Sequence, residues 1–147
     1  MNIKVLALDL DGTLTNSEKE ITKRTKEALQ QASEQGVAVV LASGRPTIGI
    51  RHIAKELELD RYGGYILAYN GGRIIDCSTN QDILMRVLPM EYFPQICDIA
   101  KEFDVAMLTY DGDLQGEKPS LRRQSAKRSC QHSPDVCRPK SALTIIR

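Results

Sequence analysis

Two carboxylates stand two residues apart at Asp9 and Asp11, directly behind an aliphatic run. Carboxylates this close repel, and each disfavours ionisation of the other. A divalent cation removes that conflict, and Mg²⁺ prefers such oxygen ligands. The pair therefore reads as a metal site, as an acid/base pair, or as both at once. Gly12 follows, and it lets backbone approach a ligand closely. A second cluster, Ser43-Gly44-Arg45, precedes Pro46. A hydroxyl, a guanidinium and the N–H groups of a helix start make an anion site. Carboxylates, a cation and a phosphate cradle together suit attack of a carboxylate on a phosphoryl group. The charges of Mg²⁺ and Arg45 would offset the repulsion between two anions. Asp11 would protonate the leaving oxygen and later deprotonate the attacking water.

These residues converge only if the elements before them lie side by side. Open parallel sheets bind ligands outside the carboxyl ends of their strands. Ile3 to Leu8 reads as a strand buried on both faces. Ile21 to Gln35 reads as a helix, with Ile21, Ala28, Leu29 and Ala32 on one side and Gly36 as its stop. Val37 to Ala42 is a second buried strand. Ile50, Ile53, Ala54 and Leu57 then give helical spacing after Pro46. A right-handed crossover should join the two strands. Tyr65 to Tyr69 is a third strand, and Asn70-Gly71-Gly72 signals a hairpin into Arg73–Asp76. Ile83 to Leu88 is a further strand candidate. Glu91 to Phe103 reads as a helix with Phe93, Ile96, Cys97 and Ala100 on one side. Val105 to Tyr110 is a strand, and Asp111-Gly112 a turn. The fold class expected is α/β, with a Rossmann-like parallel core.

Leu6-Ala7-Leu8-Asp9-Leu10-Asp11-Gly12-Thr13-Leu14 resembles the first signature of the haloacid dehalogenase superfamily of phosphohydrolases. Leu41-Ala42-Ser43-Gly44-Arg45 resembles its second motif, in the form common in the Cof-like sugar-phosphatase branch. Ala68-Tyr69-Asn70-Gly71-Gly72 is similar to the segment that leads into that branch's α/β cap. The resemblance covers roughly residues 3 to 113. It implies a Mg²⁺-dependent phosphatase acting on a small phosphorylated metabolite through an aspartyl-phosphate. Asp9 would be the nucleophile and Asp11 the general acid/base. Asp9 and the backbone carbonyl of Asp11 would bind Mg²⁺. Gly12, Thr13, Ser43, Gly44 and Arg45 would cradle the phosphate, and Asn70 and Gly71 would reach the substrate. It also implies an incomplete core over residues 1–69 and the start of an inserted cap over 70–113. The family's later lysine and acidic motifs have no match after Asp113. Lys118, Lys127 and Lys140 stand in no such pattern. The alternative is therefore an inactive fragment of such an enzyme, with at most weak Mg²⁺ or phosphate binding.

Charge supports a division near residue 113. Residues 1–113 carry 12 Lys and Arg against 17 Asp and Glu, whereas 114–147 carry 8 against 2. All seven aromatic residues lie at or before Tyr110. After Asp113 no partner strand is expected, and only Leu143–Ile146 could pair. The basic stretch 114–147 thus reads as mostly irregular and outside the family pattern. It has no aromatic residues for base stacking, so nucleic acid is not an expected partner.

Other classes fall away. No apolar run approaches the roughly 18 residues of a membrane span. Met1-Asn2-Ile3-Lys4 does not begin a signal peptide. Four cysteines without a Cys-x-x-Cys pair suit reduced thiols and a cytoplasmic setting. Cys130, His132 and Cys137 are too few and too irregular for zinc. His52 lies among helix residues and needs no catalytic role. The oligomeric state is left open.

Overall fold

The computed structural model describes residues 3–103, 106–111, 120–125 and 143–146. They fall into two compact units, divided between Arg86 and Val87.

The first unit holds a five-stranded sheet in the order β1-β2-β3-β4-β5. Strands β1 (Val5–Asp9), β2 (Ala38–Ala42) and β3 (Tyr65–Ala68) run parallel. Strands β4 (Arg73–Asp76) and β5 (Gln81–Met85) continue the sheet antiparallel. Helix α1 (Lys23–Glu34) connects β1 to β2, and α2 (Ile48–Glu56) with the short α3 (Leu59–Tyr62) connects β2 to β3. This is the expected Rossmann-type α/β arrangement.

Local chemistry sets the ends of these elements. Thr22 caps α1, its Oγ1 accepting from the Thr25 N–H at 3.2 Å. Gly36, at φ +81°, turns the chain out of that helix. The side chains of Val39, Leu41, Ile66 and Ile75 share one sheet face through their register. They are buried with Leu29, Ile50, Ile53, Leu57 and Leu59 of the helical segments.

One expectation is corrected at β1. This strand is not buried on both faces: Val5 is 58% exposed, Ala7 is exposed, and Leu6 and Leu8 are only half-buried. The reason is position. β1 is the edge of the sheet, so one flank is unpaired and its outer residues gain no cover. Apolar content alone does not separate an edge strand from a central one.

The boundary between the two units falls between Arg86 and Val87. The β3–β4 hairpin and β5 extend the sheet itself. Arg86 closes it, donating its N–H to the Gly72 carbonyl at 2.7 Å.

The second unit contains α4 (Phe93–Glu102), with Pro94 in its first turn. Phe93, Cys97 and Ala100 are buried along one side, as the spacing predicts. Strands β6 (Ala106–Asp111), β7 (Ser120–Ser125) and β8 (Leu143–Ile146) form an antiparallel sheet in the order β7-β6-β8. Leu143–Ile146, read as the one segment after Asp113 able to pair, does pair with β6. β7 was not expected, because its basic, polar sequence lacks strand periodicity. Backbone groups carry the pairing instead: an unpaired β6 would leave its N–H and C=O groups without partners. The turn at Gly112, Lys118, Lys127 and Lys140, and the Cys130–His132–Cys137 group lie outside the described residues.

Candidate active site

The site begins with strand register. Asp9 pairs with Ala42 across β1 and β2, in parallel. Asp9 and Ser43 therefore end adjacent strands at the same edge of the sheet.

After Asp9 the chain winds tightly. The Leu14 N–H donates to the Asp9 carbonyl at 3.1 Å, and the Thr15 N–H to the Leu10 carbonyl at 3.0 Å. The Thr15 hydroxyl donates to the same Leu10 carbonyl at 2.9 Å. Gly12, at φ +77°, makes the reversal possible. Leu10, Leu14 and Thr15 are buried, while Asp9, Asp11, Gly12 and Thr13 are exposed. Apolar anchors thus hold the loop and turn its polar residues to solvent.

The second loop is tied in three ways. Ser43 is buried, and its Oγ accepts from the Arg45 N–H at 3.2 Å. That amide, one of those expected to face an anion, is thereby engaged within the loop. Arg45 reaches across to Asp11, Nε to Oδ2 at 3.1 Å and Nη2 to Oδ1 at 2.5 Å. The β3–β4 turn closes the third side. Tyr69, Asn70 and Gly71 all have positive φ. This presents the Tyr69 N–H to the Arg45 carbonyl at 3.1 Å and the Asn70 N–H to the Ser43 carbonyl at 3.3 Å. A Cβ on Gly44 would lie 2.8 Å from Asn70 Oδ1, so glycine is what admits this turn.

Among the expected site residues, Asp11, Ser43, Gly44, Arg45 and Asn70 thus meet through direct contacts. Asp9 joins them through strand register and Gly12 through the loop. Thr13 is exposed on the same loop, and Gly71 lies in the adjoining turn.

A supporting group was not anticipated. Arg73 is 6% exposed and holds Asp82 with Nε–Oδ1 at 2.7 Å and Nη2–Oδ2 at 3.2 Å. Its Nη1 also lies 3.5 Å from Oγ1 of Thr47, which is fully buried. This clamp joins β4 and β5 to the start of α2, directly behind the Arg45 loop. Its sequence signal is a lone arginine opening the apolar strand Arg73-Ile74-Ile75, followed by an acidic residue in the next strand.

Among the described residues no three His, Cys, Asp or Glu side chains gather as a metal cage. Asp9 and Asp11 still fit Mg²⁺, which is commonly held by one or two carboxylates with water and substrate phosphate as the other ligands.

The opposite end of the sheet is different in kind. A cavity of about 280 Å³ is lined by Ala54, Ile66, Ile75 and Cys77 together with Arg51, Lys55, Asp60 and Asn80. It shares no lining residue with the Asp9–Ser43 end. Burial, reinforced by the nearby Asp76 carboxylate, pushes the Cys77 thiol up to about 11. Hydrogen bonds from Ser78 hold Asp76 below the usual carboxylate range.

A family model described as haloacid dehalogenase-like hydrolase matches residues 6–137. The match continues past Asp113, where the motif resemblance ends. A candidate phosphatase of Streptococcus pyogenes is 34% identical over 107 residues, covering 73% of this chain and 40% of its own. A Bacillus subtilis protein named as a 5-amino-6-(5-phospho-D-ribitylamino)uracil phosphatase is 35% identical over 80 residues, covering 54% of this chain and 31% of its own. A haloacid dehalogenase-like hydrolase from Bacteroides thetaiotaomicron superposes with a TM-score of 0.67 at 49% identity, covering 76% of this chain and 42% of its own. The chain thus spans about 40% of the length of the first relatives it matches. Among the described residues no helix is long and apolar enough to cross a membrane.

Proposed function

Because the chain belongs to the haloacid dehalogenase-like hydrolases, we propose that it carries the nucleophile half of a phosphatase for small phosphorylated metabolites. Residues up to Arg86 are assigned to the catalytic core and those from Val87 to the start of its cap. The observation that carries this reading is the Asp9–Ala42 register, which sets Asp9 and Ser43 at one sheet edge.

In this mechanism Asp9 attacks the phosphorus of a monoester. A bond forms between its carboxylate oxygen and phosphorus while the bond to the leaving oxygen breaks. Asp11 gives that oxygen a proton. Asp11 then takes a proton from water, which attacks the aspartyl-phosphate and releases phosphate. Ser43 orients the transferring group from the neighbouring strand. Mg²⁺, held by Asp9 and the Asp11 carbonyl, would supply charge that offsets the approach of two anions. The relative named for a phosphorylated ribityl compound supports a metabolite of sugar-phosphate type.

Hydrolysis of p-nitrophenyl phosphate, with and without Mg²⁺, tests the reading. Wild-type chain should turn over only with Mg²⁺, and Asp9→Asn should lose about 10³-fold or more. No Mg²⁺-dependent turnover from folded chain would reject the enzyme reading. A second reading, binding without turnover, is favoured by the small ligand set around Asp9 among the described residues. Titration with Mg²⁺ and inorganic phosphate would then show binding that Asp9→Asn weakens.

A further inference from the structure

We infer that Arg45 acts as a positioning residue for the Asp11 carboxylate rather than as a phosphate ligand. The inference rests on the phosphatase reading, and it changes the role expected of Arg45.

The contact is bidentate: Nε meets Oδ2 at 3.1 Å and Nη2 meets Oδ1 at 2.5 Å. Two parallel bonds fix the carboxylate plane as well as its distance, which a single point charge does not do. Both Asp11 oxygens are engaged by one guanidinium, so the side chain turns toward the second loop. Metal binding at this residue is then left to its backbone carbonyl. Arg45 is itself held at both backbone groups. Its N–H donates to Ser43 Oγ, and its carbonyl accepts from the Tyr69 N–H at 3.1 Å. The clamp is therefore anchored in β2 and the β3–β4 turn and acts on the β1 loop. Asp11 and Arg45 side chains are 55% and 31% exposed, and ion pairs this open add little to folding stability. What the pair does supply is orientation. A general acid must lie within hydrogen-bond reach of the oxygen it protonates.

The two roles predict different losses. A phosphate ligand serves every monoester alike. A residue that aims the acid matters most where the leaving oxygen needs a proton. An alkyl phosphate leaves as a strongly basic alkoxide unless protonated, whereas p-nitrophenolate leaves readily as the anion.

Three measurements on the full chain decide between them. In ¹⁵N spectra, the Arg45 Nε–H signal, assigned by its loss in Arg45→Gln, should be shifted in wild type. It should return to the free-arginine position in Asp11→Asn and stay in place when inorganic phosphate is added. Arg45→Gln should leave the phosphate dissociation constant within about twofold. It should lower turnover of an alkyl phosphate about tenfold more than that of p-nitrophenyl phosphate, with Arg45→Lys in between. A phosphate-induced shift of the Arg45 signal, tenfold weaker phosphate binding, or equal losses on both esters would overturn the inference. Asp11→Asn serves as the control. Equal losses on both esters in that variant would reject the acid/base reading itself, whatever Arg45 does. If neither ester turns over, the spectra and the phosphate titration still decide the role of Arg45.

Discussion

The two ends of one five-stranded sheet show what makes a site. At the carboxyl end of β1 and β2, three separate segments lock together. Asp11 bonds to Arg45, Ser43 to Arg45, and the Tyr69–Asn70 turn to the Ser43 and Arg45 carbonyls. At the other end a cavity combines the aliphatic Ala54, Ile66 and Ile75 with Arg51, Lys55, Asp60 and Asn80, and with a thiol that burial keeps protonated. Parallel β1 and β2 place both loops at the carboxyl edge, where opposite charges from different loops meet. Convergence of reactive groups from separate loops is the ground on which the site is proposed at that end.

The strongest test of that contrast removes one group at each end. Asp9→Asn should abolish Mg²⁺-dependent hydrolysis by about 10³-fold or more, while Cys77→Ala should change it by less than twofold. Comparable losses from the two variants would erase the distinction.

The next effect is on stability. Asp82→Ala leaves the Arg73 guanidinium buried without its carboxylate. Urea unfolding should show a loss of about 2–4 kcal/mol. A loss near zero would mean that water reaches Arg73 and that the clamp does not brace α2.

A smaller effect is expected at Gly44. In Gly44→Ala the new Cβ would meet Asn70 Oδ1 at 2.8 Å, and that side chain must swing aside. The cost should be about 1 kcal/mol, at the low end for overpacking, because the atom displaced ends a side chain. Phosphate binding should weaken with it. Full stability together with full binding would show that the Asn70 turn does not support the loop.

An effect confined to high pH belongs to the far end. The folded Cys77 thiol titrates at about 11, against 9.0 for the free group. Between these values the unfolded chain has lost the proton and the folded chain retains it. Folding stability should therefore fall as pH rises from 9 toward 11, and be fully present below 9. The difference between wild type and Cys77→Ala in urea unfolding across this range isolates the effect. A flat difference would mean that Cys77 is not shielded.

Much of the first unit was legible from sequence because its signals are local. Aliphatic runs set the strands, Gly36 stopped α1, and Asn70-Gly71 marked the hairpin. The two loops were legible as chemistry from their residue types. What escaped was tertiary. β1 reads as apolar whether it is central or at an edge, and only the sheet order distinguishes them. β7 carries Arg122 and Arg123 and lacks strand periodicity, so its backbone pairing with β6 left no trace in side-chain pattern. The Arg45–Asp11 and Arg73–Asp82 pairs depend on distances between segments, which composition does not encode.

The central claim is that Asp9 takes the phosphoryl group. Borohydride reduces an acyl-phosphate on aspartate to homoserine, and peptide mass spectrometry then locates it. Chain incubated with acetyl phosphate and Mg²⁺, then reduced, should carry homoserine at position 9 and retain aspartate at position 11. Homoserine at position 11, or none at position 9 in folded chain, would contradict the account.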